Sequence, residues 1–290
     1  MSLERPNFVA LDHVFAMRRV APERFTFGGL WVVGPAVPAA KATVAVVGSR
    51  APSEAGRSHA HALGEALARA GVCVVSGLAL GIDAAAHQGA LAGGGPTIGV
   101  LGGGHRQFFP PRNRRLAEAM IAAGGAVVSP YSPDEPARPY HFLQRNGLVA
   151  ALADAVVIVE AAERSGALNT AGWAACFGID VLAFPGDVER PKAAGCNALI
   201  RDGATLVRGP ADVLAAIGLH SQPLLPSIGA DNGHDPLETA LLAQLAAGPQ
   251  DLDALVEGTQ AHTGDVVAAL VRLELGGRAE RRAAGYALSA

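Results

Sequence analysis

The 290-residue sequence predicts a doubly wound, mostly parallel α/β sheet of Rossmann-like type, followed by a small C-terminal winged-helix domain. Three observations predict it. Apolar, β-branched runs recur at 43–47, 72–75, 97–101, 126–128, 155–159, 180–184 and 204–207. The runs are continuous rather than alternating, as strands covered on both faces must be. Between them lie stretches with helical spacing, and strands alternating with helices build a parallel sheet.

Residues 1–42 read as an N-terminal extension too short to be an independent domain, with one strand in "GLWVVGP" (29–35). From 43 to 218 the alternation defines the main domain. Its first strand, "TVAVV", runs into Gly48-Ser49-Arg50, and a helix follows in "GRSHAHALGEALARAG". There Ala60, Leu63, Ala66, Leu67 and Ala70 fall on one face at steps of three and four. The second strand ends at Ser76-Gly77 and leads to "GIDAAAHQGAL", where Asp83 reads as a brace for the helix start and His87 as structural. The third strand ends at Gly102-Gly103-Gly104, the fifth at Glu160 and then Ser165-Gly166, the sixth at Pro185-Gly186. Residues 219–235 break the pattern with Pro, Gly and polar residues and read as a linker. Residues 236–290 read as three amphipathic helices and a two-stranded ribbon with a turn near Ala284, the pattern of a winged helix.

Composition narrows the function. Hydrophobic residues make up 50% of the chain and the net charge is -3, which excludes a generally basic, DNA-coating protein but leaves room for a local basic site. Lys41 and Lys192 are the only lysines. Cys73, Cys176 and Cys196 form no close pair and read as free thiols of a reducing compartment. The sequence begins without a targeting pattern, and its most apolar run is interrupted by Asp154 and Glu160. A soluble cytoplasmic protein is expected, with no membrane partner.

Ligands of open parallel sheets bind at the carboxyl ends of the strands, near the point where strand order reverses. Small residues at five strand ends leave backbone amides accessible, and the helices that follow aim their positive ends there, so an anion is expected. Arg50 and Ser53 stand where a dinucleotide fingerprint needs glycine, and no Gly-Lys-Ser/Thr loop is present. An NAD site and a P-loop are therefore excluded. No nucleophile elbow and no metal-ligand spacing occur, so the expectation is no cofactor, no metal and no catalysis. The stretch 101–150 carries six arginines against three acids, with Phe108, Phe109, Tyr131, Tyr140 and Phe142 interleaved. Arginines among aromatic faces hold single strands by phosphate pairing and base stacking.

"VAVVGSR", "SGLALGIDAAAHQGAL", "TIGVLGGG", "PPRN", "FLQRN", "VVIVEAAERSGALNTA", "FPGDV" and "GCNALIRDGATLV" follow one another in order. Together they resemble the DprA/Smf family, DNA-processing protein A, from about residue 29 to 218, with a weaker match in the winged helix. The resemblance implies a single-stranded DNA-binding protein that protects incoming DNA in natural transformation and helps load the RecA recombinase. It also implies a homodimer formed through the Rossmann-like domain. It places Gly48, Ser49 and Arg50 in the phosphate-binding turn, Phe142 against a base, Arg145 with Asn146 at a phosphate, and Ser165, Gly166 and Asn197 in the same pocket. Ser76, Gly77, Arg112 and Asn113 complete the expected site.

Three departures are visible. Gly147 stands where the family has a second arginine, Phe109 where it has tyrosine, and the family's N-terminal helical domain is essentially missing. Removing Arg50 or Arg145 is expected to leave the fold intact, and Gly147→Arg to strengthen binding. Two further readings share the cradle. One is a LOG-type nucleoside-monophosphate phosphoribohydrolase, whose catalytic Glu is replaced here by Trp173; the other is a module sensing a free nucleotide. In the C-terminal helices the residues left for a DNA groove are nearly neutral, so that domain is expected to contact protein or to oligomerise.

Overall fold

In the computed structural model, which describes residues 3–11, 14, 20, 22–35, 40–219, 236–282 and 285–289, the chain divides into two compact units, Met1–Ser221 and Gln222–Ala290. The first unit is built on one sheet of nine strands. In chain order these are β1 (Asn7–Ala10), β2 (Gly29–Val33), β3 (Ala42–Val47), β4 (Val72–Ser76), β5 (Thr97–Val100), β6 (Ala126–Ser129), β7 (Ala155–Ile158), β8 (Asp180–Ala183) and β9 (Thr205–Leu206). Their spatial order is β1-β2-β6-β5-β4-β3-β7-β8-β9. The seven strands from β3 to β9 pair in parallel, while β1 and β2 run antiparallel at one edge. Residues before position 43 thus share the sheet of the main domain. "NFVA" gave no signal as a strand because four largely exposed residues carry no periodicity.

Among the described residues, seven α-helices cover the sheet: α1 (Glu54–Arg69), α2 (Ile82–Ala92), α3 (Arg114–Ala122), α4 (Pro139–Ala151), α5 (Gly166–Phe177), α6 (Ala194–Arg201) and α7 (Pro210–Ala216). Alternate residues of each central strand enter different cores. Ala45, Val47, Cys73, Val75, Val156 and Ile158 pack with α4 and α5, whereas Val44, Val46, Val72, Val74 and Val157 pack with α1 and α2. Ala60, Leu63 and Leu67 of α1 are wholly buried, as their spacing requires.

The chain builds outward from β3 to β6 and then returns to place β7 on the other side of β3. Connections leaving β3 and β7 therefore diverge, and a crevice opens at their carboxyl ends.

The second unit holds α8 (Pro236–Ala246), α9 (Leu252–Thr259) and α10 (Thr263–Leu275), then a hairpin of β10 (Ala279–Arg282) and β11 (Gly285–Leu288). Gln250 makes a single antiparallel bridge to Tyr286 of β11, adding a third segment to the wing. Leu241, Leu245, Leu255, Val266, Leu270 and Leu273 form its core. This is a winged helix. Of the expected linker at 219–235, all but residue 219 lies outside the described residues, as does the expected turn at Ala284.

Candidate functional site

The turn after β3 is pinned from both sides. Ser49 donates its amide to the Glu160 carbonyl (2.7 Å), and Ile82 donates to the Ser49 carbonyl (3.1 Å). The Glu160 carboxylate accepts from the Ser53 amide (3.0 and 3.2 Å) and from Ser53 Oγ (2.5 Å), at the N-cap of α1. Ser53 Oγ in turn accepts from the Gly56 amide (3.0 Å). The first turn of α1 is thus occupied by the protein's own anion. One of the positive ends expected to face a bound anion is therefore already satisfied from within the chain. The start of α5 is the more open one: its N-cap Ser165 accepts from the Ala167 amide, and Gly166 is exposed.

Eight of the expected residues meet in one open cleft of about 440 Å³ at the crevice: Gly48, Ser49, Arg50, Phe142, Arg145, Asn146, Ser165 and Gly166. Arg50 is exposed, and its guanidinium lies over the Phe142 ring at 5.2 Å. Arg145 approaches the same ring at 5.9 Å, and the exposed Phe109 ring stands 5.9 Å from it on the outer side. A smaller hollow of about 110 Å³ adjoins the cleft between Phe109, Leu80, Gly77 and Phe142. Asn146 fixes the far wall by donating Nδ2 to the Gly166 carbonyl (3.1 Å) and to Asn169 Oδ1 (3.2 Å).

Arg145 differs from its expected setting. It projects from α4 and is only 4% exposed, so it is not the freely removable side chain that the sequence suggested. The space it occupies exists because position 77 lacks a side chain: a Cβ on Gly77 would lie 1.5 Å from Nη1. Asp83, also buried, accepts from the Gly77 amide (3.0 Å) and the Ala79 amide (3.4 Å). It therefore braces the turn after β4 rather than capping α2, whose N-cap is Gly81. Burial raises the Asp83 pKa, opposed by the charge of Arg145. Burial lowers that of Arg145 to about 10, opposed by Asp83, so the guanidinium keeps its proton at neutral pH. Asp83 and Thr170 line the cleft and were not among the expected site residues. The signal for Asp83 was its place in the first turn of the helix after "SGLALG".

The remaining expected residues serve the frame. Ser76 is wholly buried and donates Oγ to the Val46 carbonyl (2.6 Å). Asn113 is buried and donates Nδ2 to the Leu78 and Ala79 carbonyls (2.8 and 3.0 Å), holding the turn that carries Asp83's partners. Arg112 is exposed beside it, outside the cleft lining. Asn197 closes on Gly186, accepting its amide (3.1 Å) and donating to its carbonyl (2.9 Å), and does not line the cleft. Gly147 faces away from the cleft: a Cβ there would meet the Trp173 ring at 3.2 Å. It is no vacated phosphate contact. Part of the local basic excess is neutralised, since Arg106 pairs with Asp134 and Arg114 with Glu4, and Phe108 belongs to the core.

His87 reads as structural here too. Thr97 donates its hydroxyl to the Val74 carbonyl (2.6 Å), so the 2.7 Å contact between Thr97 Oγ1 and His87 Nδ1 needs the proton on Nδ1. Nε2 is left buried without a partner, and burial together with the Arg145 charge lowers the His87 pKa to about 3.

A mostly parallel sheet with an open cleft at its switch point, joined in one chain to a winged helix, defines a two-domain Rossmann-like protein. Residues 27–218 match the family described as DNA recombination-mediator protein A, and residues 226–285 match the DprA winged helix domain. The chain belongs to the DprA/Smf family. It is 36% identical to protein Smf of Escherichia coli across 98% of this chain and 78% of that one. It is 41% identical to the putative DNA processing protein DprA of Mycobacterium tuberculosis, across 82% of this chain and 60% of that one. Among solved structures it resembles DprA of Streptococcus pneumoniae (38% identity, TM-score 0.60, 68% of each chain). It also resembles DNA processing protein A of Helicobacter pylori, described for its single-stranded DNA binding mode (26% identity, TM-score 0.61, 74% of this chain and 97% of that one).

Proposed function

We propose that this chain binds single-stranded DNA across the cleft between Gly48-Ser49-Arg50 and Ser165-Gly166, and acts in DNA processing by holding that strand rather than by cleaving it. The observation that carries the reading is the Phe142 ring with an exposed guanidinium 5.2 Å and a buried one 5.9 Å from its centroid, at the mouth of the open cleft. Arg50 supplies a mobile fork for phosphate, Arg145 a fixed positive charge behind the wall, and Phe142 with Phe109 an aromatic face for bases. Groups that recognise phosphate and ring faces read no base edges, so sequence preference is weak. The H. pylori relative supports the choice of single strands. In the cell the reading gives protection of incoming DNA during transformation, delivery of the bound strand to RecA, and dimerisation through the first unit. No helix among the described residues is long and apolar enough to cross a membrane.

A length series of fluorescent oligonucleotides, single-stranded and duplex, tests this. Affinity should rise with strand length, favour single strands and fall with salt, by roughly 0.7 in the log–log slope per phosphate engaged. Equal affinity for duplex, or saturation by mononucleotide with no length dependence, would overturn the reading in favour of a nucleotide-sensing module.

A further inference from the structure

A second cleft, of about 580 Å³, opens between the start of α1, the carboxyl ends of β7 and β8 and the loop that leads into α6. It shares no lining residue with the cleft proposed for DNA. Glu160 divides the two. Its carbonyl holds the Ser49 amide of the DNA cleft, while its carboxylate lines this one. The volume falls within the roughly 300–1,000 Å³ of small-molecule sites. One wall is aromatic. Phe184 is buried, and the exposed His59 ring stacks on it with centroids 5.5 Å apart, extending a flat face toward solvent.

Charge stands in two places. On the inner wall is the half-buried Glu160 carboxylate, which Ser53 contacts through its amide and hydroxyl. Those contacts do not exhaust the acceptor capacity of two carboxylate oxygens. At the exposed rim are Arg190 and Lys192, opposed by Asp187, which accepts from the Glu189 amide (3.0 Å). Lys192 donates Nζ to the Ala51 carbonyl (2.6 Å), a bond that leaves its charge uncancelled. Among the described residues, none of Glu160, Arg190 and Lys192 makes an ion pair. The cleft thus combines an acceptor inside, a ring face along one wall and a positive excess at the rim.

We infer that this cleft is a binding site for a free nucleoside monophosphate whose base carries an amino group. The amine donates to Glu160, the base stacks on His59, and the phosphate meets Arg190 and Lys192. An inorganic anion would leave the acceptor and the ring face unused, and an uncharged ring would leave the rim unused. The phosphate stays outermost, because Glu160 repels it at the inner wall and already occupies the start of α1 that would attract it. A nucleotide within the bound strand is not the occupant, since that strand follows the other side of Glu160. The site therefore lies beyond the proposed DNA path.

Calorimetric titration of the full chain with AMP tests the site on the native protein. AMP should bind about tenfold tighter than the 5′-monophosphate of unsubstituted purine riboside, which keeps ring and phosphate and lacks the amine. Ribose 5-phosphate, without a ring, should bind at least about tenfold weaker than AMP. Saturating AMP should leave the affinity of a fluorescent dT oligonucleotide unchanged. His59→Ala and Arg190→Ala, both at exposed positions, should each weaken AMP binding about tenfold. Melting temperature and dT binding should stay at the parental values in both. No AMP binding, equal affinity for the three small ligands, displacement of AMP by the dT strand, or AMP binding indifferent to both variants would each overturn the proposal. The dT strand is titrated separately, so loss of either reading leaves the other standing.

Discussion

Asp83 and Arg145 share one buried place behind the cleft wall, and each acts on the other's charge. The carboxylate is anchored on the Gly77 and Ala79 amides, while the guanidinium comes from a helix on the opposite side of the turn. Arg145→Ala therefore costs stability as well as affinity. It leaves a buried carboxylate without its neighbouring positive charge, so unfolding should come at lower denaturant concentration. Denaturant unfolding of Arg145→Ala, beside Arg145→Met/Asp83→Asn, measures it. The double variant should recover part of the loss, and a single variant as stable as the parent would contradict the arrangement.

Gly77→Ala tests the same pair from the backbone side. The added methyl would occupy the guanidinium's position, so Arg145 must leave its place. Oligonucleotide affinity and melting temperature should fall together, although no charge has been changed.

Arg50→Ala separates binding from folding. Arg50 is exposed and its ring contact with Phe142 is a surface one. Its loss should weaken single-strand binding by about 1.5–3 kcal/mol, the value of a charged hydrogen bond, while melting stays within error. Fluorescence anisotropy beside calorimetry gives both quantities.

Gly147→Arg is expected to destabilise, contrary to the sequence-based expectation of tighter binding. The position is buried against Trp173, so the side chain overpacks the contact between α4 and α5 at a cost of at least about 1–3 kcal/mol. A melting temperature equal to the parent's would show that the helices part without cost.

Acid should destabilise the first unit from near pH 6.5 downward. His87 is neutral when folded, with its pKa lowered from 6.5 to about 3, so between those values the unfolded chain binds the additional proton. Stability is then full above 6.5 and falls as pH drops, with a slope approaching about 1.36 kcal/mol per pH unit for such a group. His105, shifted down by burial, adds in the same direction. Asp83, whose folded pKa is raised, acts in the opposite sense over its own range above 3.8. Melting curves from pH 4 to 7.5, with His87→Gln as comparison, should show a shallower slope in the variant.

The parallel sheet was legible because buried strands advertise themselves as unbroken apolar runs, and each of the seven runs became a strand. The half-exposed β1 was not, since a short edge strand paired on one side needs no pattern. In the cleft, Gly48, Arg50, Phe142 and Ser165 were legible from strand-end position and motif together. Arg145 was placed in the right cleft but at the wrong depth, because depth there depends on Gly77, distant in sequence. Asn113 and Asn197 carried motif signals that belong to turn-holding amides. Motif position does not distinguish a side chain that touches ligand from one that holds the backbone behind it.

Glu160 gives the crevice a handedness. By seating its carboxylate on Ser53, the chain fills one of the two helix starts that flank the switch point with an internal phosphate mimic. Under the proposed binding mode, a strand would be repelled from the α1 side and admitted on the α5 side, where Ser165 and Gly166 stand. On that reading the edge of the sheet would work as a one-sided rail, with its track set by a residue the strand itself need not touch. Removing that carboxylate would open a competing berth and blur the path the polymer follows.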